Sequence, residues 1–326
     1  MSLVKRTMSY VRVGKSGLKV SKIILGCMQY GSTGWIKWAI DNQEEVNKHV
    51  KFAYDHGVQT FDTADMYSNG LSEEMLGKAI KTLHLPREEL VIMTKVFGAI
   101  APEYDMNLMQ ADVTPEEIGL VNQHGLGRKH IFDSVKRSLQ RLQVDYIDVL
   151  FCHRFDYDTP IEETMRALHD MVTAGYVRYI GMSSCYAYQY YAITNKLTPF
   201  IVMENQYSLA YREEEREMFP TLQMFGVGAV TWAPLYRGVL GRPLSGQTTR
   251  GQVDQVEELA NKKGASMAQI SIAWILCKEG VAAPIVGATS LKNLEDIIGA
   301  VNIELTRDEI KYLEEPYVPL PIDGHV

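Results

Sequence analysis

Four residues of the chain could take part in acid–base chemistry if the fold brings them together: Asp62, Tyr67, Lys95 and His153. Asp62, Lys95 and His153 each close a short apolar run, and Tyr67 follows Asp62 by five residues, in a segment typical of a loop before a helix. A tyrosine beside a lysine can donate a proton, and an aspartate can hold the lysine through an ion pair. The spacing therefore predicts a polar site at the ends of several strands.

Each of these residues also has an ordinary structural explanation. Asp62 and Asp65 could cap a helix, and Tyr67 could be a half-buried packing residue. Lys95 could reach solvent past a rim, and a lone histidine such as His153 is more often a hydrogen-bonded core residue. The functional interpretation depends on whether the fold places all four side chains at one point.

Short apolar runs alternate with amphipathic helical patterns along the chain. This alternation predicts a parallel sheet covered by helices. Eight such units in 326 residues favour a closed (β/α)8 TIM barrel, of the α/β class, over a doubly wound sheet. No G-x-G-x-x-G motif opens the first helix, which also counts against the doubly wound alternative. The predicted strands lie at 21–26, 57–61, 89–95, 146–153, 177–182, 201–205, 227–232 and 283–287, and the predicted helices at 44–56, 71–80, 129–142, 161–174, 186–196, 211–225 and 266–279.

We predict one barrel domain over residues 1–326 with three additions. Two alternating segments around a glycine-containing turn predict an N-terminal β-hairpin within 1–20. A long connection at 96–129 follows the strand that carries Lys95, and loops of that length are usually functional, so it is expected on the substrate side. Residues 311–326 form a proline-bearing C-terminal tail. Because chemistry in such barrels takes place at the carboxyl ends of the strands, the four residues are expected at one barrel mouth.

The composition favours a small molecule as partner. The net charge is −7 and no stripe of lysine and arginine is present, which argues against nucleic acid or a membrane surface. The four cysteines have no C-x-x-C or zinc spacing and are expected to be reduced thiols. No signal-peptide pattern or long apolar run occurs, so a cytoplasmic protein is expected.

Several sequence blocks, in order along the chain, resemble the signatures of the aldo-keto reductases. They cover essentially the whole chain, and the stretches 125–130 and 181–185 are most similar to fungal aryl-alcohol dehydrogenase-like reductases. The blocks are Phe61-Asp62-Thr63-Ala64-Asp65 with Tyr67, Met93-Thr94-Lys95, Phe151-Cys152-His153-Arg154, Gly181-Met182-Ser183-Ser184, Glu204-Asn205-Gln206-Tyr207, Trp232-Ala233-Pro234-Leu235 and Pro284-Ile285-Val286-Gly287.

The resemblance implies a catalytic tetrad at Asp62, Tyr67, Lys95 and His153 and a reaction in which an NAD(P)H-dependent enzyme reduces aldehydes or ketones to alcohols. Tyr67 would donate the proton, and Lys95 would lower the pKa of Tyr67 by stabilising its phenolate. Asp62 would hold Lys95, and a neutral His153 would orient the substrate oxygen. No metal is implied.

The resemblance also implies a nicotinamide cofactor across the barrel mouth. Trp232 would stack on its ring, Ser183, Ser184 and Gln206 would bind its carboxamide, and the segment after Trp232 would wrap its pyrophosphate. NADP(H) is the family expectation, with NAD(H) not excluded, since Lys292 alone offers charge near a 2′-phosphate. The expected cofactor-binding residues are Gly26, Met28, Asp62, Ser183, Ser184, Gln206, Trp232, Ala233, Pro234, Leu235, Arg237, Gly238, Leu240, Arg242, Gly287, Thr289, Ser290, Lys292 and Asn293.

The substrate pocket is expected to be aromatic and apolar, formed by Tyr30, Trp35, Phe97 and Phe155, which suits aryl or medium-chain carbonyl compounds. A monomer or a weak homo-oligomer is expected. An alternative of another class is a cofactor-binding regulatory protein of the same fold, similar to potassium-channel β-subunits, with little turnover. A metal-dependent barrel hydrolase would need histidine and carboxylate ligands at several strand ends, and His153 is the only histidine so placed.

Overall fold

A closed barrel of eight parallel strands forms the centre of the protein. The structure is a computed structural model that describes residues 8–184, 188–242 and 252–323. Around the barrel the strands follow the order β10-β3-β4-β5-β6-β7-β8-β9, and β9 pairs with β10 to close it. The strands are β3 (Ile24–Gly26), β4 (Thr60–Asp62), β5 (Val91–Val96), β6 (Ile147–Cys152), β7 (Val177–Ser183), β8 (Val202–Gln206), β9 (Gly228–Trp232) and β10 (Val281–Val286). This arrangement confirms the predicted (β/α)8 TIM barrel.

Helices surround the barrel, and their buried faces pack on the outward side chains of the strands. Leu168 and Met171 of the helix after β6, for example, join the same buried layer as Ile147 and Ile180. The helices are α1 (Gln43–Asp55), α2 (Leu71–Thr82), α3 (Arg128–Leu142), α4 (Ile161–Thr173), α5 (Tyr188–Thr194), α6 (Met218–Phe225), α7 (Gln252–Lys263), α8 (Met267–Leu276), α9 (Leu291–Ile298) and α10 (Arg307–Glu314).

The predicted N-terminal hairpin is present and plugs one end of the barrel. Its antiparallel strands are β1 (Tyr10–Arg12) and β2 (Lys19–Ser21). Val13 and Val20 are buried in the apolar cluster that fills the barrel interior, together with Val149 and Val202. Since β2 leads directly into β3, the hairpin covers the amino ends of the strands and leaves the opposite mouth for the site.

Two helices differ from the sequence-based expectation. The predicted helix 211–225 is helical only from Met218, after a short 3-10 turn at Glu213–Glu215. Pro220 explains this, because it has no backbone N–H and its ring would clash with the carbonyl four residues earlier, whereas it is tolerated in the first turn of a helix. Helix α7 was not predicted at all. The start of the predicted helix 186–196 lies outside the described residues, which resume at Tyr188.

The long connection after β5 spans 97–127 and contains one short 3-10 turn at Glu116–Ile118. Asn69 anchors it, since its side-chain amide donates to the carbonyls of Glu103 (2.8 Å) and Met106 (2.7 Å) and its oxygen accepts from the Ala101 amide (3.0 Å). The connection therefore lies over the segment that follows β4.

The chain after α10 returns to the segment before α6. Tyr317 donates to Glu213, the Leu320 amide donates to the same carboxylate at 3.0 Å, and Asp323 lies 3.4 Å from Arg237. Within the described ranges, no helix is long and apolar enough to cross a membrane.

Candidate active site

A buried ion pair joins two neighbouring strands at the barrel mouth. Lys95 on β5 donates from Nζ to both carboxylate oxygens of Asp62 at the end of β4, at 2.8 and 2.7 Å, and to the carbonyl of Thr63 at 2.9 Å. The Lys95 side chain is 0% exposed and that of Asp62 is 4% exposed. Burial by itself lowers the pKa of Lys95, but Asp62 and a second carboxylate outweigh it and raise that pKa, so the lysine stays charged.

Tyr67 lies above this ion pair in a tight turn. The three residues after it, Ser68, Asn69 and Gly70, all have positive φ angles, which reverse the chain between β4 and α2. The Tyr67 ring centroid is 5.2 Å from Lys95 Nζ and 5.9 Å from the His153 ring, which meets it edge-on. The four residues singled out by spacing are thus neighbours.

The pKa of Tyr67 is the result of opposing effects. Burial raises it above the ordinary tyrosine value, and this effect exceeds the lowering by Lys95, while Asp62 and a further carboxylate add to the rise. Lys95 lowers the pKa, as expected, but desolvation and the two carboxylates, which the expectation did not include, outweigh it. Tyr67 stays protonated at neutral pH and is suited to donate.

His153 follows β6 and is half-buried. Burial lowers its pKa well below the usual range, and the nearby cations Lys95 and Arg154 lower it further, so the imidazole is neutral. Its Nδ1 atom is buried without a hydrogen-bond partner among the described residues. A neutral imidazole beside Tyr67 can hydrogen-bond an oxygen placed between them.

Glu204 on β8 is the member of the site that sequence reasoning missed. Its Oε1 atom lies 3.4 Å from Lys95 Nζ, and its side chain is 4% exposed. The sequence reasoning took only the last one or two residues of each strand, which selected Gln206. Since side chains alternate along a strand, Glu204 shares the inward face with Gln206, and a glutamate in an apolar strand was the available signal.

The residues expected to bind a nicotinamide ring line the adjacent strand ends. Ser183 ends β7 and donates to the Glu204 carbonyl at 3.0 Å, and Gln206 pairs in register with Trp232 at the ends of β8 and β9. Ser184 Oγ and Gln206 Oε1 are buried without a hydrogen-bond partner in the part of the chain that the structure describes. A carboxamide offers both a donor and an acceptor, so these atoms fit such a group.

The other expected cofactor residues fall into two groups at the same mouth. Ala233 and Arg237 have positive φ angles in the turns after β9, followed by Gly238, and both Arg237 and Arg242 are exposed. Gly287 follows β10, where Ser290 caps α9 by accepting from the Asn293 amide at 3.3 Å. The remaining members are the half-buried Met28 and Leu235, the buried Gly26, Pro234 and Leu240, and the exposed Thr289 and Lys292.

The four aromatic residues expected in the substrate pocket are placed differently from one another. Trp35 lies 6.3 Å from the Tyr67 ring, centroid to centroid, and belongs to the site. Phe97 and Phe155 are half-buried, and Phe155 packs against Tyr188 at 4.8 Å. Tyr30 is completely buried with its ring edge-on to His49 of α1, so the structure does not bring it to the mouth.

Among the described residues, no three histidine, cysteine, aspartate or glutamate side chains are grouped as a metal site. The four expected residues together with Glu204 instead bring one lysine, one tyrosine, one histidine and two carboxyl groups together. This set can hold, orient and protonate an oxygen atom.

Comparison with known proteins places the chain in a family. The model of the Aldo/keto reductase family matches residues 22–317. A Schizosaccharomyces pombe protein named "putative aryl-alcohol dehydrogenase" is 44% identical, over 97% of this chain and 98% of its own. Versiconal hemiacetal acetate reductase of Aspergillus parasiticus is 43% identical, over 97% of this chain and 98% of its own. The chain belongs to the aldo/keto reductase family, a class of oxidoreductases that generally use nicotinamide cofactors and act on carbonyl compounds.

Proposed function

We propose that this protein reduces aldehydes and ketones, preferably aryl or medium-chain apolar ones, to alcohols with NADPH, and that Tyr67 is the proton donor. The observation that carries the proposal is the position of the Tyr67 ring between Lys95 and His153, with Lys95 fixed by Asp62. A carbonyl oxygen bound between Tyr67 and His153 would receive its proton from Tyr67 Oη.

The environment of Tyr67 suits transfer in this direction. Reduction builds negative charge on the carbonyl oxygen, so a donor that is protonated at neutral pH is required. Burial keeps Tyr67 protonated, and Lys95 stabilises the negative charge that remains on the phenolic oxygen as the proton leaves. Neutral His153 orients the carbonyl oxygen by a hydrogen bond without competing as an acid.

A bound nicotinamide would be held by the polar atoms at the ends of β7 and β8. Ser184 and Gln206, whose buried oxygens lack partners among the described residues, would bind its carboxamide, with Ser183 beside them. The half-buried Trp232 would cover one face of the ring. A reduced nicotinamide supplies the hydride that the carbonyl carbon receives, since no side chain can donate one.

The phosphates of the cofactor would be bound on either side of β10. The turn that contains Arg237 offers an exposed guanidinium to a pyrophosphate. Ser290 and Asn293 at the start of α9, with the exposed Lys292 between them, offer donors and one positive charge to a 2′-phosphate. This charge supports NADP(H) over NAD(H).

Trp35 beside Tyr67 supports an apolar substrate. Three relatives of this chain carry the name "putative aryl-alcohol dehydrogenase", at 44%, 42% and 42% identity. Exposed aromatic rings lie near the same end of the protein, including Tyr157, which is 75% exposed and packs at a tilt against Phe155, with ring centroids 4.7 Å apart. A flat aromatic aldehyde could pack against such rings.

The test is the oxidation of NADPH and of NADH, followed at 340 nm, with a panel of aryl, aliphatic and small charged aldehydes. We expect kcat/KM to be higher with NADPH than with NADH. We also expect kcat/KM to be higher for aryl or medium-chain aldehydes than for small charged ones. Tight cofactor binding with negligible turnover on every aldehyde would contradict the proposal and favour a binding or sensing role.

A further inference from the structure

Glu204 gives the buried lysine of the site a second carboxyl group. Lys95 Nζ is 2.7 Å from Asp62 Oδ2 and 3.4 Å from Glu204 Oε1, and none of the three side chains is more than 4% exposed. One ammonium group therefore faces two carboxyl groups in a place where solvent screens little. If both were ionised, the cluster would hold one uncompensated buried negative charge.

The contacts indicate which carboxyl group holds a proton. Asp62 accepts from Lys95 through both oxygens, whereas Glu204 has one longer contact. Glu204 Oε2 is buried and has no hydrogen-bond partner among the described residues. A buried carboxylate with a free oxygen is costly, and two carboxyls on one cation share a proton, as paired carboxylates do. Glu204 is thus the protonated member at neutral pH.

The charged and titratable groups around Glu204 are few. Asp62 and Lys95 face it from β4 and β5, Tyr67 from the turn after β4, and Arg154 from the end of β6. Burial and, less strongly, Asp62 raise the pKa of Glu204, and Lys95 and Arg154 lower it, so that the resulting pKa is about 8. The buried thiol of Cys27, next to Asp62 and Lys95, has its own pKa raised by burial and stays neutral.

We propose that Glu204 is a positioning residue of this site: by gaining or losing one proton to solvent, it sets how much of the positive charge of Lys95 is available to Tyr67. When Glu204 is neutral, Lys95 balances Asp62 and still stabilises charge on Tyr67. When Glu204 is ionised, its negative charge raises the proton affinity of Tyr67, which becomes a weaker acid. This inference rests on the proposed role of Tyr67 as proton donor.

The expected consequence is that the rate of reduction falls at high pH because Glu204 ionises, and not because Tyr67 loses its proton. In the wild type, reduction should decline as the pH rises through about 8. In Glu204→Gln, which is permanently neutral, the decline should move up by about one pH unit. Alcohol oxidation, which needs Tyr67 without its proton, should begin at a lower pH in the variant.

The first test is the pH profile of kcat for reduction and for oxidation in wild type, Glu204→Gln and Glu162→Gln. Glu162 is an exposed glutamate of α4 and serves as the matched control, with an unchanged profile expected. A shift of both limbs in Glu204→Gln alone supports the proposal. A variant with lower kcat but an unshifted profile would overturn it, because a merely structural role lowers the rate at all pH values.

The second test needs neither turnover nor a folded variant. Wild-type protein labelled with ¹³C at glutamate carboxyls is titrated by NMR, and the Glu204→Gln spectrum assigns the signal where that variant folds. A glutamate carboxyl that is protonated at neutral pH and titrates near pH 8 supports the proposal. Complete ionisation of every glutamate at neutral pH would overturn it. Absence of turnover would refute the reductase function instead, so the two failures are distinguishable.

Discussion

At the residue scale, one ammonium group organises the site. Lys95 is completely buried, and it contacts Asp62, Glu204 and the Thr63 carbonyl. A buried charge of this kind is stable only with partners of opposite charge. The ammonium group of Lys95 therefore depends on the two carboxyl groups. Because Tyr67 lies over the same cation, the charge state of the cluster controls the acidity of the phenol.

Replacing Lys95 with methionine tests this dependence. The variant leaves the Asp62 carboxylate without its cation and removes the charge that stabilises Tyr67 as it loses its proton. We expect kcat for reduction to fall by about 100-fold or more, with cofactor affinity little changed. Steady-state kinetics and fluorescence titration with NADPH measure both quantities.

The control for that variant is Lys51→Met. Lys51 pairs with Asp55 on the surface of α1, where both side chains are at least half exposed. Its replacement removes the same charge far from the site and should leave kcat within about twofold. Equal losses in the two variants would contradict the assigned role of Lys95.

Some residues of the site can be predicted from the sequence and others cannot. Asp62, Tyr67, Lys95 and His153 were identified because each lies at or just after a strand end, where the barrel collects them. Glu204 was missed because it lies two residues before a strand end, and the contact that reveals it, to a lysine far away in sequence, exists only in three dimensions. The net effect of burial on Tyr67 likewise requires the folded environment.

At the element scale, the turn from β4 to α2 links the proton donor to the long connection. Asn69, two residues after Tyr67, adopts a left-handed conformation that asparagine tolerates, and its side chain makes three hydrogen bonds to the segment 101–106. The connection 97–127 is therefore positioned by the same turn that positions Tyr67. Asn69 shares this role with Tyr104, which donates to Glu74, and with Asn107, which donates to the Trp35 carbonyl.

Replacing Asn69 with glycine should release the connection without straining the turn. Glycine accepts the positive φ angle, so the change removes only the side-chain hydrogen bonds, at a cost of about 1–3 kcal/mol. Hydrogen–deuterium exchange should quicken in 101–106, and the KM for carbonyl substrates should rise. Asn122→Gly is the matched control, since Asn122 is exposed in the same connection with a φ of 61°. Unchanged exchange in Asn69→Gly would contradict this account.

Elements also differ in how well the sequence predicts them. The barrel strands were found because buried parallel strands form short apolar runs between amphipathic helices. The start of α6 was misplaced because the residues before Met218 fit a helical pattern, whereas Pro220 decides where the helix can begin. The ion pairs of Arg212 with Glu215 and of Arg216 with Glu213 accompany the 3-10 turn there instead of a longer helix.

At the scale of the whole molecule, a further buried acid, Asp65, affects the stability of the fold and lies two residues before Tyr67. Asp65 accepts from Ser134 of α3 at 2.6 Å, close to the Glu73–Arg141 ion pair that joins α2 and α3. Burial and, to a smaller extent, the charge of Glu73 raise the pKa of Asp65, and the resulting pKa is about 7. The segment that carries Tyr67 is thus joined to α3 through a titrating group.

The raised pKa has a definite effect on stability. Between the unfolded value of 3.8 and about 7, the native state holds one proton more than the unfolded state. The free energy of unfolding should therefore fall by about 1.4 kcal/mol for each pH unit in that window, as far as Asp65 contributes. In Asp65→Asn this contribution disappears, so the variant should gain stability relative to wild type as the pH rises from 4 to 7.

Urea unfolding at several pH values measures the difference in the free energy of unfolding between Asp65→Asn and wild type. Asp112→Asn, a change at an exposed aspartate, provides the control and should follow the wild type. If the free energy of unfolding of Asp65→Asn differed from that of wild type by the same amount at every pH from 4 to 7, the pKa of Asp65 would not be raised.

The central claim is that Tyr67 donates the proton in carbonyl reduction, and Tyr67→Phe tests it most directly. The variant keeps the ring against Lys95, His153 and Trp35 and removes only the hydroxyl group. We predict that NADPH binding is retained while turnover on the best aldehyde falls by about 100-fold or more. Turnover close to that of wild type would show that another group supplies the proton and would contradict the mechanism.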